Sequence, residues 1–213
     1  MGEAKAHGDL GNVYFVQGQH DRARDSLELS NAIFRELGNK SALGSGLGNL
    51  GNLLRARGEN SRAIEVYSQA IELLHEVGDQ RARGTYMGNL GNVYVSTGES
   101  ERAFECYTKA IEINRTVGDK RSEWIFTGNL AEVLFALQRL DEATAAFREA
   151  IDQCNDTIPV AAGAFRGSFA LLLAQQEQLE EDVKLEDVVV RSEVQRPSGR
   201  AESELHSDVT TSS

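Results

Sequence analysis

The chain has 213 residues, is 40% hydrophobic and carries a net charge of −11, so it holds enough apolar material for an ordered core. No basic stripe of the kind nucleic acid needs is visible; from Glu177 onward ten acids face four bases, which places −6 of the charge near the C-terminus. Two isolated cysteines, Cys106 and Cys154, make neither a disulfide framework nor a zinc site, and no apolar run is long enough to span a membrane. With no leader-like start, the composition predicts a cytoplasmic protein with no membrane or nucleic-acid partner.

Repetition organises the chain. Gly48-Asn49-Leu50-Gly51-Asn52 recurs forty residues later as Gly88-Asn89-Leu90-Gly91-Asn92, with degenerate copies at Gly8-Asp9-Leu10-Gly11-Asn12 and Gly128-Asn129-Leu130-Ala131-Glu132. Residues 48–87 and 88–127 agree at eighteen of forty positions. A fixed period of this size marks stacked supersecondary units.

Taken in order, the units read as helix pairs at about 2–38, 41–78, 81–118 and 121–155. In the second unit, Leu47, Leu50 and Leu54 mark one face of a first helix, and Gly58 ends it. Asn60 or Ser61 is the expected N-cap of the second helix, whose packing face is Ala63, Tyr67, Ala70, Ile71 and Leu74. Gly78 closes it in the left-handed conformation. Gly51, Gly91 and Ala131 are expected opposite Ala63, Ala103 and Ala143, allowing close helix contact.

The fourth unit departs from the pattern, with Ala131 and Glu132 in its motif and Asn155 and Pro159 as its stop. A capping helix is expected at about 160–178, which takes the array to about residue 178; a degenerate second helix follows at 179–194. Its packing places hold Asp182 and Glu186. Residues 195–213, poor in apolar side chains, are expected to be disordered. The first helix has no cap before it, an arrangement suited to self-association or to contact with another domain.

Leu90, Gly91, Tyr94, Ala103, Tyr107 and Ala110 match, position by position, a pattern that resembles the tetratricopeptide repeat (TPR). The forty-residue form is similar to the Pins/LGN-type cell-polarity adaptors and to bacterial TPR arrays. The resemblance implies an all-α fold, a right-handed α-solenoid of stacked helix hairpins, with first helices lining a concave groove. It also implies a protein-binding scaffold and not an enzyme.

No chemistry competes with that reading. The glycine-rich motif lies inside a helix, follows no strand and lacks the Lys-Ser/Thr of a phosphate loop. His7, His20, His75 and His206 are scattered, so no metal site is expected, and no cofactor is called for.

The resemblance places Asn12, Asn52 and Asn92 on the groove, in a ladder similar to the peptide-holding asparagines of O-GlcNAc transferase and kinesin light chain. A carboxamide offers both a donor and an acceptor, so it suits a peptide backbone whatever the side chains. Helices pack about 8–10 Å apart and an extended peptide advances about 3.3 Å per residue, so one asparagine would meet every third ligand residue. Lys5, Ser45 and Thr85 flank the ladder on one side, and Phe15, Arg55, Val95 and Phe135 on the other. The expected partner is an extended peptide or amphipathic helix of another protein; the alternative is a regulatory or peptide-sensing module of a larger signalling protein or enzyme.

Overall fold

A computed structural model describes residues 1–154 and 157–194, with side chains as far as Gln178. Asn155, expected as a stop, and residues 195–213, expected as a disordered tail, lie outside the described residues. The elements are all α-helices: α1 (Gly2–Val16), α2 (His20–Glu36), α3 (Lys40–Ala56), α4 (Asn60–Glu76), α5 (Gln80–Thr97), α6 (Ser100–Thr116), α7 (Lys120–Ala136), α8 (Leu140–Cys154) and α9 (Pro159–Val194). They form an all-α solenoid of stacked hairpins, in which α2, α4 and α6 each pack against the helices before and after them.

Two kinds of turn set the forty-residue register. Inside each hairpin the chain reverses through Gly18, Gly58 and Gly98, all at positive φ; in the fourth hairpin Gln138 adopts φ 59° in their place. Between hairpins, Gly38, Gly78 and Gly118 take the same conformation, and the next residue caps the following helix. The side chains of Asn39, Asp79 and Asp119 accept from the backbone N–H of Ala42, Ala82 and Ser122 at 3.0, 3.0 and 3.2 Å. The cap of α4 is Glu59, without a side-chain cap bond, and Asn60 and Ser61 lie inside the helix. The Glu59 carboxylate is drawn instead to Arg57 and Arg62, each at 2.7 Å.

The two glycines of the repeated motif have different neighbours. Gly51 and Gly91 lie under Tyr67 and Tyr107 of their own hairpin; a Cβ there would stand 2.7 and 2.8 Å from the ring. These tyrosines, and not Ala63 or Ala103, are the nearest side chains, because the aromatic four residues on leans over the small one. Gly48, Gly88 and Gly128 meet the next unit instead, and a Cβ on them would fall within the rings of Tyr86, Phe126 and Phe165. The small residues therefore admit aromatic rings more than they admit helix backbones.

Phe165 belongs to α9, which begins as the first helix of a fifth unit. Gly167-Ser168-Phe169-Ala170-Leu171 stands thirty-nine residues after the fourth copy of the motif. Ala162, Phe165 and Leu172 are buried against Ala143, Phe147 and Ala150 of α8. Met1–Leu172 is one compact unit, and from Leu173 a second unit continues α9 to Val194. Where the sequence suggests two helices meeting near residue 178, one helix runs through. No glycine or proline interrupts residues 168–194, and Glu177 occupies the place where earlier units turn.

Glu123 joins α6 to α7. Its buried carboxylate contacts Arg115 and Lys120, each at 2.9 Å. Burial works to raise its pKa, but the hydrogen bonds and charges of those two cations outweigh it and hold the group below its usual range.

Two outcomes test this packing. Gly88→Ala gains about 1 kcal/mol of helix propensity but collides with Phe126, so we expect a net loss of about 1–3 kcal/mol in urea denaturation. A gain in the midpoint would show that the ring is not held there. For Glu123 the lowered pKa gives stability that is present above the unfolded-state value of about 4.3 and lost as pH falls through the folded value. Glu123→Gln should therefore be less stable than the parent at pH 7, with the difference shrinking on acidification in pH-resolved melts.

Candidate functional site

The second asparagine of each central motif sits between two neighbours. Asn52 Oδ1 accepts from the Tyr67 hydroxyl at 2.6 Å and from Asn89 Nδ2 at 3.0 Å. One unit on, Asn92 Oδ1 accepts from the Tyr107 hydroxyl at 2.7 Å and from Asn129 Nδ2 at 3.2 Å. Each oxygen thus uses both lone pairs, one within its hairpin and one on the next. Burial pushes the Tyr67 and Tyr107 phenols well above the ordinary tyrosine range, so both remain donors.

The network fades at both ends. Asn12 is exposed, and Leu27 stands where the central hairpins carry tyrosine, so no hydroxyl reaches it. In the fourth unit Phe147 lacks the hydroxyl and Glu132 replaces the asparagine; its Oε1 accepts from Ser168 of α9 at 2.9 Å. Beneath the ladder the rings of Tyr67 and Tyr86, Tyr107 and Phe126, and Phe147 and Phe169 pair with centroids 6.2, 6.1 and 5.7 Å apart. The Tyr86 hydroxyl donates to Ser45 O at 3.1 Å and to Asn49 Oδ1 at 3.3 Å.

The flanking residues differ in their surroundings. Arg55 is exposed on the same face, and its charge lowers the Tyr67 phenol against the larger effect of burial. Val95 and Lys5 are exposed. Thr85 donates to Arg81 O at 3.1 Å. Phe15 and Phe135 are half-buried and pack against the core, Phe15 also meeting the His20 ring edge-on at 5.9 Å.

Sequence reasoning missed Asn89 and Asn129 as members of the face, and it took Tyr67 and Tyr107 for core packing alone. One signal was available: a tyrosine fifteen residues after the second asparagine occurs only in the two central units.

A family model of the MalT-like TPR region matches residues 3–183. The chain belongs to the MalT-like TPR family. No curated protein matches the sequence. Solved structures share the fold at low identity. One holds the nearly identical TPR-like repeats of a Podosopora anserina protein described as a putative kinesin light chain, with 18% identity and a TM-score of 0.68, covering 88% of this chain and 92% of that one. BtubC (BKLC) from P. vanneervenii has 17% identity and a TM-score of 0.65, covering 94% and 85%. Aspartyl phosphate phosphatase F from Bacillus subtilis has 15% identity and a TM-score of 0.74 over 89% of this chain, which spans 50% of its length. Repeats of this fold are in general protein-interaction modules. No helix among the described residues is long and apolar enough to cross a membrane.

Because Asn92 supplies the acceptor for a buried hydroxyl, Asn92→Ala should cost about 1–3 kcal/mol of stability. Tyr107→Phe removes the donor instead and should cost about 0.5–1.5 kcal/mol. A double-mutant cycle in urea should give a positive coupling; additive effects would mean that the bond contributes nothing.

Proposed function

We propose that the face formed by α3, α5 and α7 holds an extended segment or amphipathic helix of a partner protein. The observation that carries this reading is the way the asparagines are paired. Within the Asn52–Asn89 pair, Asn52 Nδ2 and Asn89 Oδ1 make no hydrogen bond among the described residues, and the same holds for Asn92 Nδ2 and Asn129 Oδ1. Each pair therefore presents one donor and one acceptor, the complement of a peptide C=O and N–H. Asn12, Lys5 and Thr85 extend the polar part of the groove. Arg55 offers a cation for an acidic group, and Val95, with the half-buried Phe15 and Phe135, offers apolar contact.

Alanine at the asparagines would disturb the fold as well as the ligand, so aspartate is the better probe. Asn52→Asp and Asn92→Asp keep an oxygen for the tyrosine and the neighbouring asparagine and replace the free amide donor with a charged acceptor oxygen. Peptides selected on the parent protein from a random display library should bind the double variant about ten- to several-thousand-fold more weakly, at about 1–3 kcal/mol for each lost donor. Circular dichroism should be unchanged. Equal affinity for parent and double variant would remove this face as the binding site.

A further inference from the structure

We propose that the occupant of the asparagine face is an extended peptide carrying one acidic and one basic side chain about six residues apart, the acid held by Arg55 and the base by Glu132. The inference rests on the reading of α3, α5 and α7 as the binding face and adds the chemistry of the partner. Charge is rare on that face. Its positions recur at steps of three and four, from Ser45, Thr85 and Ile125 to Arg55, Val95 and Phe135. Apart from Arg55 and Glu132 they hold only serine, threonine, asparagine, isoleucine, valine and phenylalanine.

Both charges are exposed, and neither forms an ion pair among the described residues. Arg57, two residues beyond Arg55, shows the contrast: Asp21 and Glu59 hold it, each at 2.7 Å. Ser168 occupies one Glu132 oxygen at 2.9 Å and leaves Oε2 without a hydrogen bond among the described residues. The two charges flank the unit of Asn92 and Tyr107. Burial is the largest influence on the Tyr107 phenol, and of these two charges Glu132 raises it while Arg55 lowers it. Beyond Arg55, the exposed Lys5 and Asp9 of α1 have opposite signs and do not outweigh it.

The repeat supplies the spacing. Arg55 lies in the second unit and Glu132 in the fourth, two steps of about 8–10 Å, so about 16–20 Å separates them. That exceeds the Debye length of about 8 Å at physiological ionic strength, so neither charge neutralises the other and each is left for a ligand. An extended chain covers the distance in about five or six residues. Alternate side chains point to opposite faces, so the even separation, about six, turns both charges to the floor of the groove. A helical ligand would need about eleven to thirteen residues for the same span.

The probe is a phage-displayed random library of about sixteen residues, long enough for either conformation, selected on the full chain. We expect the recovered peptides to be enriched in acid–base pairs about six positions apart. For one such peptide, Arg55→Glu should weaken binding about three- to thirtyfold at low ionic strength, and changing the peptide's acid to lysine should restore it. Glu132→Lys should be rescued in the same way by changing the peptide's base to glutamate, and neither rescue should work on the other variant. Circular dichroism should match the parent, since both positions are exposed. No enrichment, enrichment at about eleven positions, or rescue by the wrong exchange would each overturn the proposal. Peptides that lack the pair yet lose affinity for Asn52→Asp/Asn92→Asp would do so while leaving the asparagine face standing. Peptides indifferent to that double variant, or a library without binders, would overturn both.

Discussion

One carboxamide oxygen, shared between two donors, couples each central hairpin to itself and to its neighbour. Asn52 takes the Tyr67 hydroxyl from the helix behind it and the Asn89 amide from the hairpin ahead, and Asn92 repeats the arrangement. The geometry depends on the glycines on either side. Gly51 lets the Tyr67 ring come close enough to present its hydroxyl, and Gly48 receives the Tyr86 ring from the next unit. A glycine inside a helix costs about 1 kcal/mol relative to alanine, so two in five residues form a local weakness that the aromatic contacts must offset. The helices of this segment are held by their neighbours more than by their own propensity.

On the proposed reading, the same arrangement ties stability to recognition. Because both lone pairs of the Asn52 and Asn92 oxygens are turned to the fold, these two residues have amide hydrogens left to offer, and Asn89 and Asn129 have their oxygens. A face built this way has its side chains fixed before a ligand arrives, which lowers the ordering cost of binding. It also means that the residues most suited to touch a peptide are those whose removal weakens the array.

Much of the architecture was legible because the period is strict. Helix positions, the glycine turns and the core face of Ala63, Tyr67, Ala70 and Leu74 all follow from spacing. Less legible were contacts that need two units at once. That Gly88 faces Phe126, thirty-eight residues on, cannot be read from either helix alone. Nor could the sequence show that Asn89 reaches back to Asn52, because an exposed-looking asparagine gives no sign of which way its amide turns. Beyond the fourth hairpin the register slips from forty to thirty-nine residues, which hides the fifth copy of the motif at Gly167 from a fixed-period comparison.

The first joint lacks most of what couples the others. Gly46 stands where Tyr86 and Phe126 supply the ring for the preceding glycine, and Leu27 offers Asn12 no hydroxyl. Asn31, whose counterpart in α4 is Ile71, is buried beside Gly46 with neither carboxamide atom hydrogen-bonded among the described residues. An unpaired buried amide costs about 1–3 kcal/mol, a cost that Asn114 of α6 carries as well, so what sets the first seam apart is the missing ring and hydroxyl. In a linear array each seam opens independently of the others. Under load or heat, α1 and α2 would therefore part from the stack as a unit, leaving the ladder from Asn52 onward closed.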